Sequence, residues 1–374
     1  MHTQNAAKSL LRVAIVGARG YSGLELARLA LRHPQIELKA CFAGSESLAV
    51  ADYLPESAAK DVPVYSIDQL ETIAKECDAV FLATPAEVSL ELAPVILRKG
   101  ADAIDLSGAF RLKAGEGKDI ARLYKDAYGF AHPTPYLVEQ SLYGIVPLAK
   151  AYPPKSAAGP RLIANPGCYA TSAAMALLPI LKTGALDTRT IVIDAKSGTT
   201  GAGRKASEKL LFTEVEGDCL PYKIGDHQHL PEIRMAARSL TGFEIDPFFT
   251  PHLLPVRRGI ISSIYARAKS AALTDAELLA CIDAAYTQAY ASYPLVRFNA
   301  LGADEPGAAQ GLSLRKVVGT ARTHIVFHVK DGKIFIFSAI DNLLKGAASQ
   351  AIENLNLMYG LAPETGLMDM EGIL

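Results

Sequence analysis

Several features are scarce in this chain of 374 residues, and each scarcity removes a class of explanation. Half of the residues are hydrophobic, yet no uninterrupted apolar run reaches the roughly 18 residues that a membrane-spanning helix needs. Neither sign of charge is in excess. The 38 Lys and Arg stand against 39 Asp and Glu, for a formal net charge of −1, and the cations are spread along the chain. Nothing therefore points to nucleic acid or an anionic membrane as a partner. The five cysteines, Cys41, Cys77, Cys168, Cys219 and Cys281, form an odd, scattered set without CxxC spacing. They argue against a disulfide framework or a structural zinc and predict a cytoplasmic protein with reduced thiols. The opening "MHTQNAAKSLLRVAIVG" passes from a polar arm to an apolar strand without the h-region of a signal peptide.

The first half alternates short apolar runs with helical patterns. "RVAIVGA" (12–18), "IELKACFAG", "AVFLATP" (79–85) and "ADAIDLSG" predict strands. "SGLELARLALRHP" (22–34), stopped by Pro34, and "EVSLELAPVILRKG", closed by Gly100, predict helices. Such alternation predicts an α/β, Rossmann-type domain with a parallel sheet and right-handed crossovers. In the second half "TIVIDAKSG", "GIISSIYARAK" and "THIVFHVKDGKIFIFSAID" predict longer strands, with a hairpin at Asp331–Gly332. One strong helix, "TDAELLACIDAAYTQAYAS" (274–292), lies between them. This half reads as an α+β domain on a mostly antiparallel sheet. The tail "DNLLKGAASQAIENLNLMYG" is helical in period and ends at Gly360.

After the first strand comes "GARGYSG", with Gly17, Gly20 and Gly23 opening a helix. A tight turn, close backbone approach and N–H groups at a helix start suit a pyrophosphate, although a tight turn without a ligand has the same spelling. The second strand ends "CFAGSES", offering Ser45 and Ser47 where an NAD site usually places a carboxylate. These hydroxyls point to NADP; Arg19 in the glycine loop could help neutralise the 2′-phosphate, or equally be a solvated loop residue.

Cys168 follows Asn-Pro-Gly in "NPGCYAT" and precedes an alanine-rich helical stretch. A thiol at a helix N-terminus faces the positive end of the dipole, which predicts easier ionisation. The commonest fate of a cysteine is a buried small hydrophobe. That reading suits Cys41, Cys77 and Cys281, whereas Cys168 follows a polar turn; Cys219 stays unassigned. A thiolate nucleophile wants a histidine, and "GDHQHLPEI" supplies His227, His229 and Glu232. In an extended segment both histidines point the same way, so either could face the cysteine. H-x-H spacing also occurs in metal sites, but no further ligands lie nearby. Arginines and lysines fit to hold an acidic substrate appear at Arg111, at Lys196, Arg204 and Lys205, and at Arg257 and Arg258.

Taken in order, "GARGYSGLEL", "DLSGAFRL", "NPGCYAT", "KSGTTGAGRK", "HQHLPEI", "PHLLPVRRGI" and "DNLLKGAASQA" resemble the N-acetyl-gamma-glutamyl-phosphate reductase family of arginine biosynthesis over nearly the whole chain. The resemblance implies a Rossmann domain (1–166) completed by a C-terminal helix (343–374), and a substrate and dimerisation domain of the semialdehyde dehydrogenase type (167–342). It implies that Cys168 attacks an acyl phosphate and forms a thioester, which NADPH then reduces to the semialdehyde. His229, or alternatively His227, would be the acid and base. The cofactor would lie against Gly17, Arg19, Gly20, Tyr21, Ser22, Gly23, Ser45 and Ser47, with Asn342 and Gly346 beside the nicotinamide. Arg111, Asn165, Lys196, Ser197, Gly198, Arg204, Glu232 and Arg258 would hold the small-molecule substrate, and no metal is implied. The second domain's sheet could pair across a homodimer or homotetramer.

The chain departs from the family pattern in places. It has "TPAEVS" where Pro-His-Gly is usual, "SGAFR" without the acidic residue before Phe110, and "YGIVPLAK" without a glutamate; Gly-Ser-Asn is replaced by "GTARTH". The N-acyl group of the substrate therefore stays open, a protein-carried aminoadipyl phosphate included. Three other functions compete: aspartate-semialdehyde dehydrogenase, a cysteine hydrolase using Cys168 and His229, and a nucleotide-sensing module without catalysis.

Overall fold

A computed structural model describes residues 10–44, 49–115, 119–149, 151–301 and 312–368. Its first sheet contains β1 (Leu11–Val16), β2 (Ile36–Phe42), β3 (Val64–Tyr65), β4 (Ala79–Leu82), β5 (Asp102–Asp105), β6 (Leu142–Tyr143) and β7 (Leu162–Ala164). The order is β3-β2-β1-β4-β5-β7-β6, and all neighbours are parallel. The apolar runs of β1 and β4 are buried on both faces, as a parallel sheet covered on both sides requires. The chain leaves β1 for β2 on one side and reaches β4 on the other. The crevice at this switch is where such sheets bind ligands. Three of these strands, β3, β6 and β7, escape sequence reading because two or three residues are too few to show a period.

The second sheet contains β8 (Val192–Ser197), β9 (Leu220–Pro221), β10 (Phe248–Leu253), β11 (Ile260–Arg267), β12 (Val296–Ala300), β13 (Thr323–Lys330) and β14 (Lys333–Ile340). Its order is β12-β13-β14-β11-β8-β10-β9, antiparallel except for the β12–β13 and β8–β10 pairs. The β13–β14 hairpin turns at Asp331 (φ 52°) and Gly332 (φ 64°), the left-handed pair that matches the strand twist. The helix Asp275–Tyr290 begins with a capping box. Thr274 Oγ1 accepts from the Glu277 N–H (3.3 Å), and Glu277 Oε2 accepts from the Thr274 N–H (2.8 Å).

The helix Cys168–Leu181 is buried at every residue from Tyr169 onward, which explains its alanine-rich, almost uniformly apolar composition. It packs on β11 and β14. The Tyr286 and Tyr290 hydroxyls donate to its Ala176 and Met175 carbonyls, at 2.7 and 2.6 Å. After β14 the chain makes a π-helical turn (Leu344–Ala348) and the helix Ser349–Met358, which return to the helix Tyr21–Arg32 and to β5. The buried Arg161–Asp102 pair (2.7 Å) fastens this return, because the Tyr359 hydroxyl also donates to Asp102 (2.7 Å).

Candidate active site

Gly17 follows β1 with φ 85°, and a β-carbon there would overlap the Ala83 carbonyl; one on Gly23 would overlap the Gly17 carbonyl. Both glycines are therefore demanded by the chain itself. Gly20 is different. At φ −70° its nearest obstacle to a β-carbon is Gly17 O at 3.5 Å, so protein packing tolerates a side chain there. What a side chain would fill is the cavity of about 520 Å³ that Gly20 lines with Tyr21 and Ser22. A glycine kept open toward a cavity at the start of a 12-residue helix fits a dinucleotide pyrophosphate. Ser45 and Ser47 lie outside the described residues. Arg19 gives its backbone carbonyl to Arg204 Nη1 (3.0 Å), and the Arg204 guanidinium lies 4.8 Å from the Tyr53 ring centroid.

Cys168 is the first residue of its helix, after the extended Gly167. Gly167 is a necessity: a β-carbon there would overlap His229 Nε2 and come within 2.8 Å of Arg111 Nη1. On the other side, a β-carbon on Gly346 would stand 2.7 Å from Cys168 Cβ. Cys168 and His229 line the 520 Å³ cavity and also a second one of about 820 Å³. The second cavity is bounded by Ser197, Gly198, Lys209, Tyr222, Lys223 and His227. The thiol and the imidazole thus stand on the partition between two chambers, one built on the glycine loop and one on the second sheet.

The electrostatics correct one expectation. Burial pushes the Cys168 thiol up to about 11, against the pull of Arg111 and of the Tyr169 and Cys168 N–H groups. The dipole end is present, but desolvation outweighs it, and the resting sulfur is a protonated thiol. Burial likewise holds His229 well below its ordinary value, with the neighbouring His227, Arg111 and Lys223 adding to the effect. His229 is therefore neutral and able to accept a proton.

The two histidines are not in an extended segment either. Gln228 is already helical, and His229 opens the helix His229–Thr241, whose start is marked by Pro231 and Glu232 in the first turn. The His229 N–H donates to His227 Nδ1 (3.1 Å), and the rings meet edge to face at 4.8 Å. Of the two histidines only His229 lines both chambers; His227 lines the second and not the first.

Arg111 and Glu232 lie beneath the cysteine. Arg111 donates from Nε to Asn165 O (2.8 Å) and from Nη2 to Leu106 O (2.7 Å), while Nη1 lies 3.4 Å from Glu232 Oε2. Glu232 has no exposed surface; its Oε1 accepts from the Gly167 N–H (2.8 Å) and the Tyr143 hydroxyl (2.9 Å). This pair braces the turn that presents Cys168.

The other predicted residues divide in the same way. Asn342 lines the first chamber, with Oδ1 on the Gly259 N–H (2.7 Å) and Nδ2 on Thr200 Oγ1 (3.0 Å). Asn165 is fully buried and internally bonded, to Ala347 O (3.1 Å) and Asn354 Nδ2 (2.9 Å). Arg258 is committed to Glu25 (2.5 Å) and Asp341 (3.0 Å), a clamp between the glycine-loop helix and the end of β14. Lys196 pairs with Asp194 (2.5 Å) and lines neither chamber, because strand alternation sends it to the face opposite Ser197. Tyr222, Lys209 and Lys223 line the second chamber without having been singled out. Lys223, a non-glycine residue at φ 45°, carries no signal visible in sequence. Among the described residues no group of three or more His, Cys, Asp or Glu could hold a metal. None of the described helices is long and apolar enough to cross a membrane.

Residues 12–151 match the family described as semialdehyde dehydrogenase, NAD binding domain, and residues 168–342 the semialdehyde dehydrogenase, dimerisation domain. An N-acetyl-gamma-glutamyl-phosphate reductase of Thiobacillus denitrificans is 36% identical over 364 residues, covering 96% of this chain and 99% of that protein. One of Brevibacillus brevis is 37% identical over 361 residues, covering 96% and 98%. The chain belongs to the N-acetyl-gamma-glutamyl-phosphate reductase family. The NAD-binding match of residues 12–151 supports a nicotinamide cofactor for this family member. Two solved structures share the fold. Aspartate semialdehyde dehydrogenase II of Vibrio cholerae, complexed with ASA, has a TM-score of 0.66 at 16% identity, covering 94% of this chain and 99% of that one. The Candida albicans enzyme with NADP has a TM-score of 0.63 at 16% identity, with the same coverage.

Proposed function

We propose that this chain reduces N-acetyl-gamma-glutamyl phosphate to N-acetylglutamate semialdehyde and phosphate with NADPH, a step of arginine biosynthesis, through a thioester on Cys168. The observation that carries this reading is the position of Cys168 and His229 on the wall shared by the two chambers. An acyl group bonded to the sulfur reaches the dinucleotide side without leaving the substrate side.

The steps follow from the side chains. His229 Nε2 accepts the thiol proton as Sγ attacks the acyl carbon, and the carbon–oxygen bond to phosphate breaks. Backbone N–H groups at the Cys168 helix start, with the Arg111 charge behind them, steady the developing oxyanion. A bound NADPH supplies the hydride that reduces the thioester. Collapse of the resulting hemithioacetal releases aldehyde, and the thiolate recovers the proton from His229. His227 holds the His229 backbone rather than the sulfur. Lys209 and Lys223 place positive charge where the substrate carboxylate would sit.

NADP rather than NAD is supported by the end of β2, where Phe42 is followed by Ala43 and Gly44 instead of a carboxylate. Arg19, Ser45 and Ser47 would take the 2′-phosphate. In this reading residues 1–166 and 343–374 hold the nucleotide and residues 167–342 the substrate. The dimerisation-domain match supports a homodimer or homotetramer, and the chemistry suits a cytoplasmic protein.

The test is the reverse reaction: protein, NADP⁺, phosphate and N-acetylglutamate semialdehyde, followed by NADPH absorbance. Cys168→Ser, NAD⁺ and aspartate semialdehyde run alongside. Phosphate-dependent NADPH formation, lost in the serine variant, is the expected outcome. Turnover with aspartate semialdehyde alone would overturn the substrate, and silence with every aldehyde would overturn the chemistry.

A further inference from the structure

One phenol beside the reacting cysteine has no role in the steps above. Tyr128 ends the helix Ile120–Tyr128, where Gly129 turns away at φ 83°. Its ring stacks against Tyr124 (5.5 Å) and Phe130 (6.1 Å). The ring then crosses the backbone of Gly108, where a β-carbon would come within 2.6 Å of Cε1 and 3.0 Å of the hydroxyl. Gly108 thereby gives the phenol passage into the chamber lined by Arg111, Gly167, Cys168 and His229.

The Tyr128 hydroxyl is buried and its proton has no acceptor among the described residues; the Arg111 guanidinium, which can only donate, lies close enough to pull the phenol down. Its neighbour differs: the Tyr124 hydroxyl accepts from the Leu112 N–H at 3.0 Å and ties down the loop that carries Arg111. A buried hydroxyl whose proton has no acceptor is unfavourable, so its retention at a reaction site points to an acceptor that arrives from outside the chain. Burial pushes the phenol well above its ordinary value, with Glu232 adding and Arg111 opposing, so the group stays protonated and can donate. Arg111 has already given Nε and Nη2 to carbonyls and turned Nη1 to Glu232. It supplies a field, and a neutral donor is left to orient an incoming oxygen.

We propose that Tyr128 is a further substrate-contacting residue, whose hydroxyl donates to a phosphoryl oxygen of the acyl phosphate seated at Cys168 and of the phosphate it releases. This inference rests on the reductase reading above. Tyr128→Phe removes the hydroxyl and keeps the ring contacts. In the reverse assay the variant should show kcat/KM for phosphate lower by about 10- to 100-fold, the range of one hydrogen bond to a charged group. The KM for NADP⁺ should not move, and the melting temperature should hold or rise, since no internal bond is lost. An unchanged phosphate dependence, or a change confined to NADP⁺, overturns the inference. A second measurement is independent of turnover: protection of Cys168 from iodoacetamide by inorganic phosphate, compared in wild type and Tyr128→Phe. Weaker protection in the variant supports the contact, and equal protection overturns it. Lack of turnover in the wild type would count against the reductase reading, while the protection assay still decides on Tyr128.

Discussion

Substituting Glu232 by Gln separates two consequences of one charge. The side chain is fully buried between the Gly167 N–H, the Tyr143 hydroxyl and Arg111. Glutamine keeps an oxygen for the first two partners and removes the charge that faces the third. Breaking a buried pair by neutralising one partner costs about 3–5 kcal/mol. Arg111 retains the Asn165 and Leu106 carbonyls at 2.8 and 2.7 Å, so the lower end, about 3 kcal/mol, applies. A thermal scan should show this as a fall on the order of 6 °C or less in a chain of this length. The same change acts oppositely on the sulfur. The Glu232 charge raises the Cys168 pKa, which stands at about 11, and Arg111 lowers it. With Arg111 unopposed, alkylation of Cys168 by iodoacetamide should begin at lower pH in Glu232→Gln than in wild type. The protein loses stability while its thiol becomes more acidic. A variant with unchanged melting and an unchanged alkylation profile would refute the electrostatic account. So would a loss of stability accompanied by a profile shifted to higher pH.

Gly167→Ala should fold but lose on the order of 100-fold in kcat, because the new methyl displaces His229 and Arg111 from the cysteine; steady-state kinetics beside a melting curve separates the two effects. His227 is held neutral by burial, its pKa lowered to about 4. Below the ordinary value near 6.5 the unfolded chain binds a proton that the folded chain refuses, so this group by itself should cost about 3 kcal/mol of stability between pH 6.5 and 4, with His229 adding in the same direction. Urea unfolding across that range checks this, and His227→Asn should make the slope shallower while the share of His229 remains. Arg258→Met removes the clamp from Glu25 to Asp341, whose Oδ1 and Oδ2 still accept the Leu343, Leu344 and Gly319 N–H groups. It should cost about 2–3 kcal/mol of stability and raise the KM for the cofactor more than that for phosphate; an unchanged cofactor KM would show that the clamp does not position the glycine-loop helix.

Local signals carried much of this protein. The Asp331–Gly332 hairpin, the Thr274–Glu277 box, the Pro34 stop and the turn before Cys168 each act over a few residues, and each stands where its chemistry predicts. The placing of Lys196 was legible: residues 192, 194 and 196 share one face of β8 and Ser197 has the other, so period two alone separates them. The helix at His229 was legible too, from Pro231 and Glu232. Arg258 was not, since its partners Glu25 and Asp341 are 233 and 83 residues away.

By itself, then, the sequence determined the alternation that makes a parallel sheet, the longer strands of the second sheet, the glycine turn, the cysteine at a helix start and the family. Each depends on neighbours along the chain, within reach of a turn, a cap or a strand period. Tertiary structure decided which groups meet. It set His229 rather than His227 on the partition, turned Arg111 inward to carbonyls, and left the proton of the Tyr128 hydroxyl without an acceptor. It also decided that Cys168 rests as a thiol, because desolvation is a property of everything packed around the sulfur, and no stretch of sequence contains that sum.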